Sequence, residues 1–201
     1  MEYMGETFIS ARYKKEDFIN LNLTMTSVEE DWNKAIDIFE DRIRERYLNI
    51  IDKIMNDGCL VVDGFSVMAL NCLMIETLLQ FKNGWDETPY RRNSMEYKRF
   101  LLEEFSGVFT NTELAQRFYT DIRCGILHSA QTKNGSQLTI DKDYIVEFIH
   151  TSRGRSISVN VVGISRIIRD YFSDYVDKIK SNSNEDERHY FLEKMRYLCI
   201  H

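Results

Sequence analysis

Apolar residues recur at helical spacing through most of the chain. Trp32, Ala35, Ile36, Phe39, Ile43, Tyr47, Ile50, Ile51 and Ile54 form one stripe along a predicted helix of about eight turns. Ser27-Val28-Glu29-Glu30 reads as a capping box at its start, and Asp57-Gly58 stops it. A second helix, 60 to 82, is apolar on nearly all sides and is predicted to be the central core helix. Asn83-Gly84 ends it, and the stretch from Trp85 to Asn93, with Pro89, reads as a loop. A third helix is predicted over 94 to 106 and a fourth over 111 to 129, opened by Asn111 or Thr112.

The period then changes. Gln137 to Ile140, Tyr144 to His150 and Ser156 to Val159 are rich in β-branched and aromatic residues. Lys133-Asn134-Gly135 reads as a turn, and Arg153-Gly154-Arg155 as the turn of a β-hairpin inserted at 136 to 159. Helices return over 160 to 180 and 186 to 199, with a polar break from Ser181 to Glu185. Residues 1 to 25 have weak periodicity and read as a tail with at most a short element. The expectation is one mainly α domain over 1 to 201: a helical bundle of core helices at 27 to 129, a small β-hairpin insertion, and returning helices at 160 to 199.

Composition agrees with long helices, for the 201 residues contain a single proline and only 9 glycines. The net charge of −6 argues against a protein that coats nucleic acid by bulk electrostatics, although it leaves room for a local basic groove. The start of the chain lacks a basic segment followed by an apolar one, so no signal peptide is expected. The apolar run from Cys59 to Phe81 is interrupted by Asp63, Asn71 and Glu76, which suits a buried helix better than a membrane span. Cys59, Cys72, Cys124 and Cys199 form no CxxC pair and no zinc spacing; they are expected to be reduced, buried thiols of a cytoplasmic protein. No metal and no cofactor is expected.

The greatest chemical content lies in Arg123-Cys124-Gly125-Ile126-Leu127-His128, late in the fourth helix. Arginine holds its charge and forks onto phosphate oxygens. Histidine ordinarily titrates near neutrality and so both takes and gives protons. A five-residue step along an α-helix turns a side chain by about 140° net, so the two Cβ atoms do not stack. The long arginine stem is what would bring its head round to the imidazole.

The segment Phe118 to His128 resembles the signature helix of the HEPN family. Those domains are up-and-down helical bundles in which an Arg and a His are separated by four to six residues; here the spacer is Cys124 to Leu127. The resemblance implies a metal-independent endoribonuclease, or a degenerate relative, with Arg123 and His128 as catalytic residues. It implies a homodimer whose two Arg–His pairs share one cleft. It also implies a toxin–antitoxin or phage-defence setting, with an antitoxin or nucleotidyltransferase as partner. RNA supplies its own nucleophile in the 2′-OH. His128 would act as base or acid, and Arg123 would stabilise the crowded phosphate. The residue after the arginine is often polar in active members, whereas here it is Cys124, a weak donor. Asp121 and Ser129 are candidates to supply polar support instead.

The same residues admit a structural reading. Arg123 would pair with Glu76 or Asp121, and His128 would favour the C-terminal end of the helix dipole. Glu76, among apolar neighbours, either orients Arg123 or sits on a solvated helix edge. Arg91 and Arg92 beside Tyr90, and Arg153 and Arg155 with Lys142, are candidates for a surface that tracks phosphates; a solvated loop is the plainer alternative. His150, His189 and His201 stand alone. Two functions remain open: RNA cleavage, or a non-catalytic dimeric module that binds RNA, a nucleotide or a partner protein. A metal hydrolase is disfavoured by the lack of ligand spacing.

Overall fold

A computed structural model of the chain describes residues 7–182 and 185–200. They are mostly helical, with one small three-stranded sheet. The helices are α1 (Lys15–Ile19), α2 (Glu29–Ile43), α3 (Asn49–Asp57), α4 (Leu60–Asn83), α5 (Asn93–Glu104), α6 (Thr112–Arg117) and α7 (Cys124–Ser129). After the strands β1 (Gln137–Thr139), β2 (Val146–Thr151) and β3 (Gly154–Asn160) come α8 (Val161–Ser181) and α9 (Glu185–Ile200). Two π-helical turns, Arg44–Leu48 and Phe118–Arg123, join α2 to α3 and α6 to α7. Contacts gather the chain into two compact units, one of residues 1–50, 77–87 and 172–201, the other of 51–76 and 88–171.

The first unit is built on packed rings. Phe39 lies 4.4 Å from Phe81, 5.6 Å from Phe172 and 5.4 Å from Phe191, all tilted or edge-on as the ring quadrupoles prefer. Arg188 closes this core with a bidentate pair to Glu29 at 2.9 and 2.7 Å, its guanidinium 4.6 Å over the Trp32 ring. Residues 8 to 25 do not trail as a tail. Ile9, Phe18 and Leu23 are buried, and the segment is tied down at Asp41, which accepts from Ser10 Oγ (2.6 Å) and from the Arg12 N–H (3.0 Å). Burial opposes the Asp41 charge, but these bonds and the Arg12 guanidinium outweigh it and hold the carboxyl below its ordinary pKa.

Two details of the first long helix depart from the sequence pattern. Val28 rather than Ser27 is the N-cap, because Ser27 Oγ turns back to accept the Thr24 N–H at 2.9 Å; the expected capping box does not form. The π-turn also inserts a residue into the apolar stripe. Burial passes from Ile43 to Leu48 and Ile51, leaving Tyr47 half-buried and Ile50 exposed.

In the second unit, Met68, Cys72, Tyr97, Phe100, Phe118, Ile122 and Ile164 are buried, with Phe109 edge-on to Phe118 at 5.1 Å. The β segment is more than a hairpin. β2 and β3 pair antiparallel through the expected turn, with Thr151 opposite Gly154. β1 pairs in parallel with the far side of β3, giving the order β1-β3-β2. β2 itself serves as the crossover that a parallel pair requires.

α4 is long and apolar enough to cross a membrane by length and composition. It nevertheless buries Asn71, whose amide donates to Ser165 Oγ at 2.8 Å, a contact made within protein. Burial is one-sided rather than all-round. Val67, Met68, Cys72, Ile75, Leu78 and Leu79 are buried, while Val61 is 78% exposed, Val62 72%, and Phe65 and Leu73 are also open. Of the cysteines, Cys72 and Cys199 are buried and Cys124 is half-buried, but Cys59 is exposed, contrary to expectation; all four are free. Of the polar break after α8, Ser183 and Asn184 lie outside the described residues, as does His201.

Candidate functional site

The site grows out of the fourth helical segment. Asn111 caps α6, its Oδ1 accepting the Leu114 N–H at 3.0 Å as expected of that residue. The π-turn follows, and its last residue is Arg123. α7 then carries Gly125 and His128, and ends in Ala130, which adopts a left-handed conformation at φ 51°. Gly125 has a steric reason to be glycine. The chain folds back over it so closely that a Cβ would lie 2.5 Å from the Gln131 carbonyl oxygen.

Arg123 and His128 meet. Arg123 Nη1 lies 3.3 Å from His128 Nε2, with the imidazole exposed. The other arm, Nη2, donates to Glu76 Oε2 at 2.6 Å. Glu76 Oε1 in turn accepts from Asn93 Nδ2 at 3.1 Å, and Asn93 Oδ1 accepts from Tyr119 OH at 3.0 Å. The Tyr119 ring lies 5.5 Å from the guanidinium carbon, closing the circle. Burial opposes the Arg123 charge, but Glu76, through its hydrogen bond and its charge, prevails and raises the guanidinium pKa above its ordinary value. Burial, with the Cys124 thiol beside it, also raises Tyr119, so the phenol keeps the proton it donates to Asn93. Behind these, burial pushes the Cys72 thiol up to about 12 and raises the Tyr97 phenol well above its ordinary value, an uncharged wall against the cation.

No family model, no curated protein and no solved structure matches this chain.

The remaining sequence candidates separate. Glu76 is drawn in as the arginine's partner, one of the two alternatives weighed for it. Cys124 Sγ is 3.9 Å from Arg123 Nη1, a weak contact. Asp121 points elsewhere. It is buried, and its carboxylate accepts from Asn134 Nδ2 (2.7 Å), Ser136 Oγ (2.9 Å) and Thr120 Oγ1 (3.0 Å), with Arg117 at 3.5 Å. It anchors the loop that leads into β1 and does not support Arg123. Ser129 is exposed at the end of α7. Arg92 is engaged by Glu96, and Arg155 by Glu113 and by the Phe148 ring at 3.7 Å. Arg91 and Arg153 are exposed, and Tyr90 is 96% exposed. His150 is exposed, and His189 lies 3.3 Å from Glu193. Among the described residues, no three His, Cys, Asp or Glu side chains gather as metal ligands.

Sequence reasoning missed Asn93 and the part played by Tyr119. Asn93 closes the predicted loop and opens α5, and nothing at that position announces a contact with Glu76, 17 residues earlier. Tyr119 lies inside the motif segment, but its role emerges only once Asn93 is in place.

Proposed function

We propose that this chain is a metal-independent endoribonuclease of HEPN type, with Arg123 and His128 as its catalytic pair. The observation that carries the reading is the 3.3 Å contact between Arg123 Nη1 and His128 Nε2, with Glu76 fixing the arginine from behind. One imidazole removes the proton of the 2′-OH, and the oxygen attacks the adjacent phosphorus. The 5′-oxygen leaves with a proton from a second imidazole, giving a 2′,3′-cyclic phosphate and a 5′-hydroxyl end. Arg123 stabilises the charge gathered on the phosphorane oxygens.

A homodimer supplies the second histidine in this reading. A line of exposed apolar residues on α4 supports it: Val62, Phe65 and Leu73 fall on the face that also bears Glu76. Tyr90 and Arg91, three and two residues before Asn93, are suitably exposed to take flanking nucleotides. A toxin or defence role with an antitoxin partner, in the cytoplasm, belongs to the same proposal and rests on the motif resemblance.

The Arg123–Glu76 ion pair also favours a second reading, in which the pair is architectural and the module binds without cutting. One assay separates them. Wild type and His128→Ala, purified identically, are incubated with a mixed RNA pool in EDTA. Cleavage by wild type alone, leaving cyclic phosphate ends, is expected, with a loss of about 10²- to 10⁴-fold in the variant. No cleavage by either folded, dimeric protein overturns the catalytic reading.

A further inference from the structure

The first unit holds a second concentration of positive charge, remote in sequence from the Arg123–His128 pair. Arg42 and Arg46 stand one turn apart at the end of α2 and in the π-turn, on the face covered by the Phe8–Tyr13 segment. Like charges at this spacing repel. Neither arginine has a carboxylate partner among the described ion pairs. Each spends one donor on the backbone, Arg42 Nη1 to the Ile9 carbonyl at 2.6 Å and Arg46 Nη2 to the Phe8 carbonyl at 3.2 Å. A guanidinium has five donors. The remaining nitrogens of both are not sealed from solvent.

They open on a pocket of about 190 Å³, which Lys15 and the rings of Phe8 and Tyr197 also line and to which, among the described residues, no carboxylate contributes. Burial, then the neighbouring Arg46 charge, lowers the Arg42 pKa to about 10. Burial and Arg42 likewise lower Lys194, nearby in the same unit, to about 8. Half-buried cations that repel each other gain from an anion placed between them. The fork geometry of two arginines with one lysine suits the tetrahedral oxygens of a phosphoryl group.

We propose that this pocket is a phosphate-binding site, in which Arg42, Arg46 and Lys15 hold a phosphoryl group against the Phe8–Tyr13 segment. It does not depend on the ribonuclease reading, since none of its residues belongs to that site. Two sources present this chemistry: a free phosphate or mononucleotide, and the terminal phosphate of an oligonucleotide.

The test is calorimetric titration of the full chain with inorganic phosphate at fixed ionic strength. It is repeated with an eight-nucleotide, non-cleavable 2′-O-methyl RNA carrying either a 5′-phosphate or a 5′-hydroxyl. Arg42 is left intact because its bond to the Ile9 carbonyl, at 2.6 Å, is much shorter than the 3.2 Å bond of Arg46 to the Phe8 carbonyl. Saturable phosphate binding by wild type is expected, weakened about tenfold or more in Arg46→Gln and in Lys15→Gln and unchanged in Arg123→Ala. Tighter binding of the 5′-phosphorylated RNA than of the hydroxyl form assigns the oligonucleotide end as the source. Equal binding of the two RNAs alongside saturable phosphate binding assigns the free ion or nucleotide. No saturable phosphate binding by wild type overturns the proposal. So does binding that survives both pocket variants, or that is lost only in Arg123→Ala, which would place the phosphate at the other site.

Discussion

Two carboxylates meet the same π-turn and do opposite work. Asp121 lies within the turn, is buried, and accepts three side-chain hydrogen bonds, one from Thr120 beside it and two, from Asn134 and Ser136, that tie the following loop to the helix. Glu76 comes from α4, remains partly open to solvent, and grips the guanidinium that faces the exposed His128 imidazole. The first is satisfied on every side and leaves nothing for a ligand. The second holds a cation whose other arm still points outward. Proximity to a motif is therefore a poor guide to role. What distinguishes the two is where their hydrogen bonds end: one network closes within the fold, and the other terminates at the surface.

Substitutions at the two positions should divide accordingly. Asp121→Ala strips the loop donors of their acceptor, and the expected loss is about 3 kcal/mol of stability, read as a lower denaturant midpoint with an unchanged slope. RNA cleavage per folded molecule should persist in that variant. A collapse of activity without loss of stability would make Asp121 part of the site after all. Glu76→Gln keeps the shape but not the charge. It should lower kcat about tenfold, equivalent to about 1.4 kcal/mol of transition-state stabilisation, while the thermal midpoint barely moves. A large fall in midpoint with intact kcat would reduce Glu76 to the same architectural role as Asp121. Tyr119→Phe removes only the outermost bond of the chain through Asn93. The expected cost is about 0.5–1 kcal/mol, appearing as a two- to fivefold drop in kcat. Any larger effect would place the phenol in the chemistry itself.

Local signals were legible in the sequence where one residue makes the structure by itself. Asn111 caps a helix, Gly84 at φ 64° follows the end of α4, and the Lys133–Gly135 turn closes with the Ser136 N–H on the Lys133 carbonyl at 2.9 Å. The Arg–His pair was legible for the same reason: both partners lie in one short segment. The π-turns were not, because nothing in the apolar pattern marks where a helix takes one residue too many. The shift of burial from Tyr47 to Leu48 shows the consequence. Asn93, and the pocket lined by Lys15, Arg42 and Arg46, escaped because each exists only once distant segments close on one another.

The π-turn at Phe118–Arg123 acts as a phase adjuster. Each residue of an α-helix advances the side chains by about 100°. Upstream of the turn, Leu114, Ala115 and Phe118 are buried; downstream, Arg123 and His128 face Glu76 and the solvent. Winding residues 118 to 123 as unbroken α-helix, with none removed, would swing everything after them through about that angle. Arg123 would then leave Glu76, and Gly125 would leave the backbone that crosses it. A single extra residue thus lets one helix satisfy two incompatible registers, that of its packing face and that of its site.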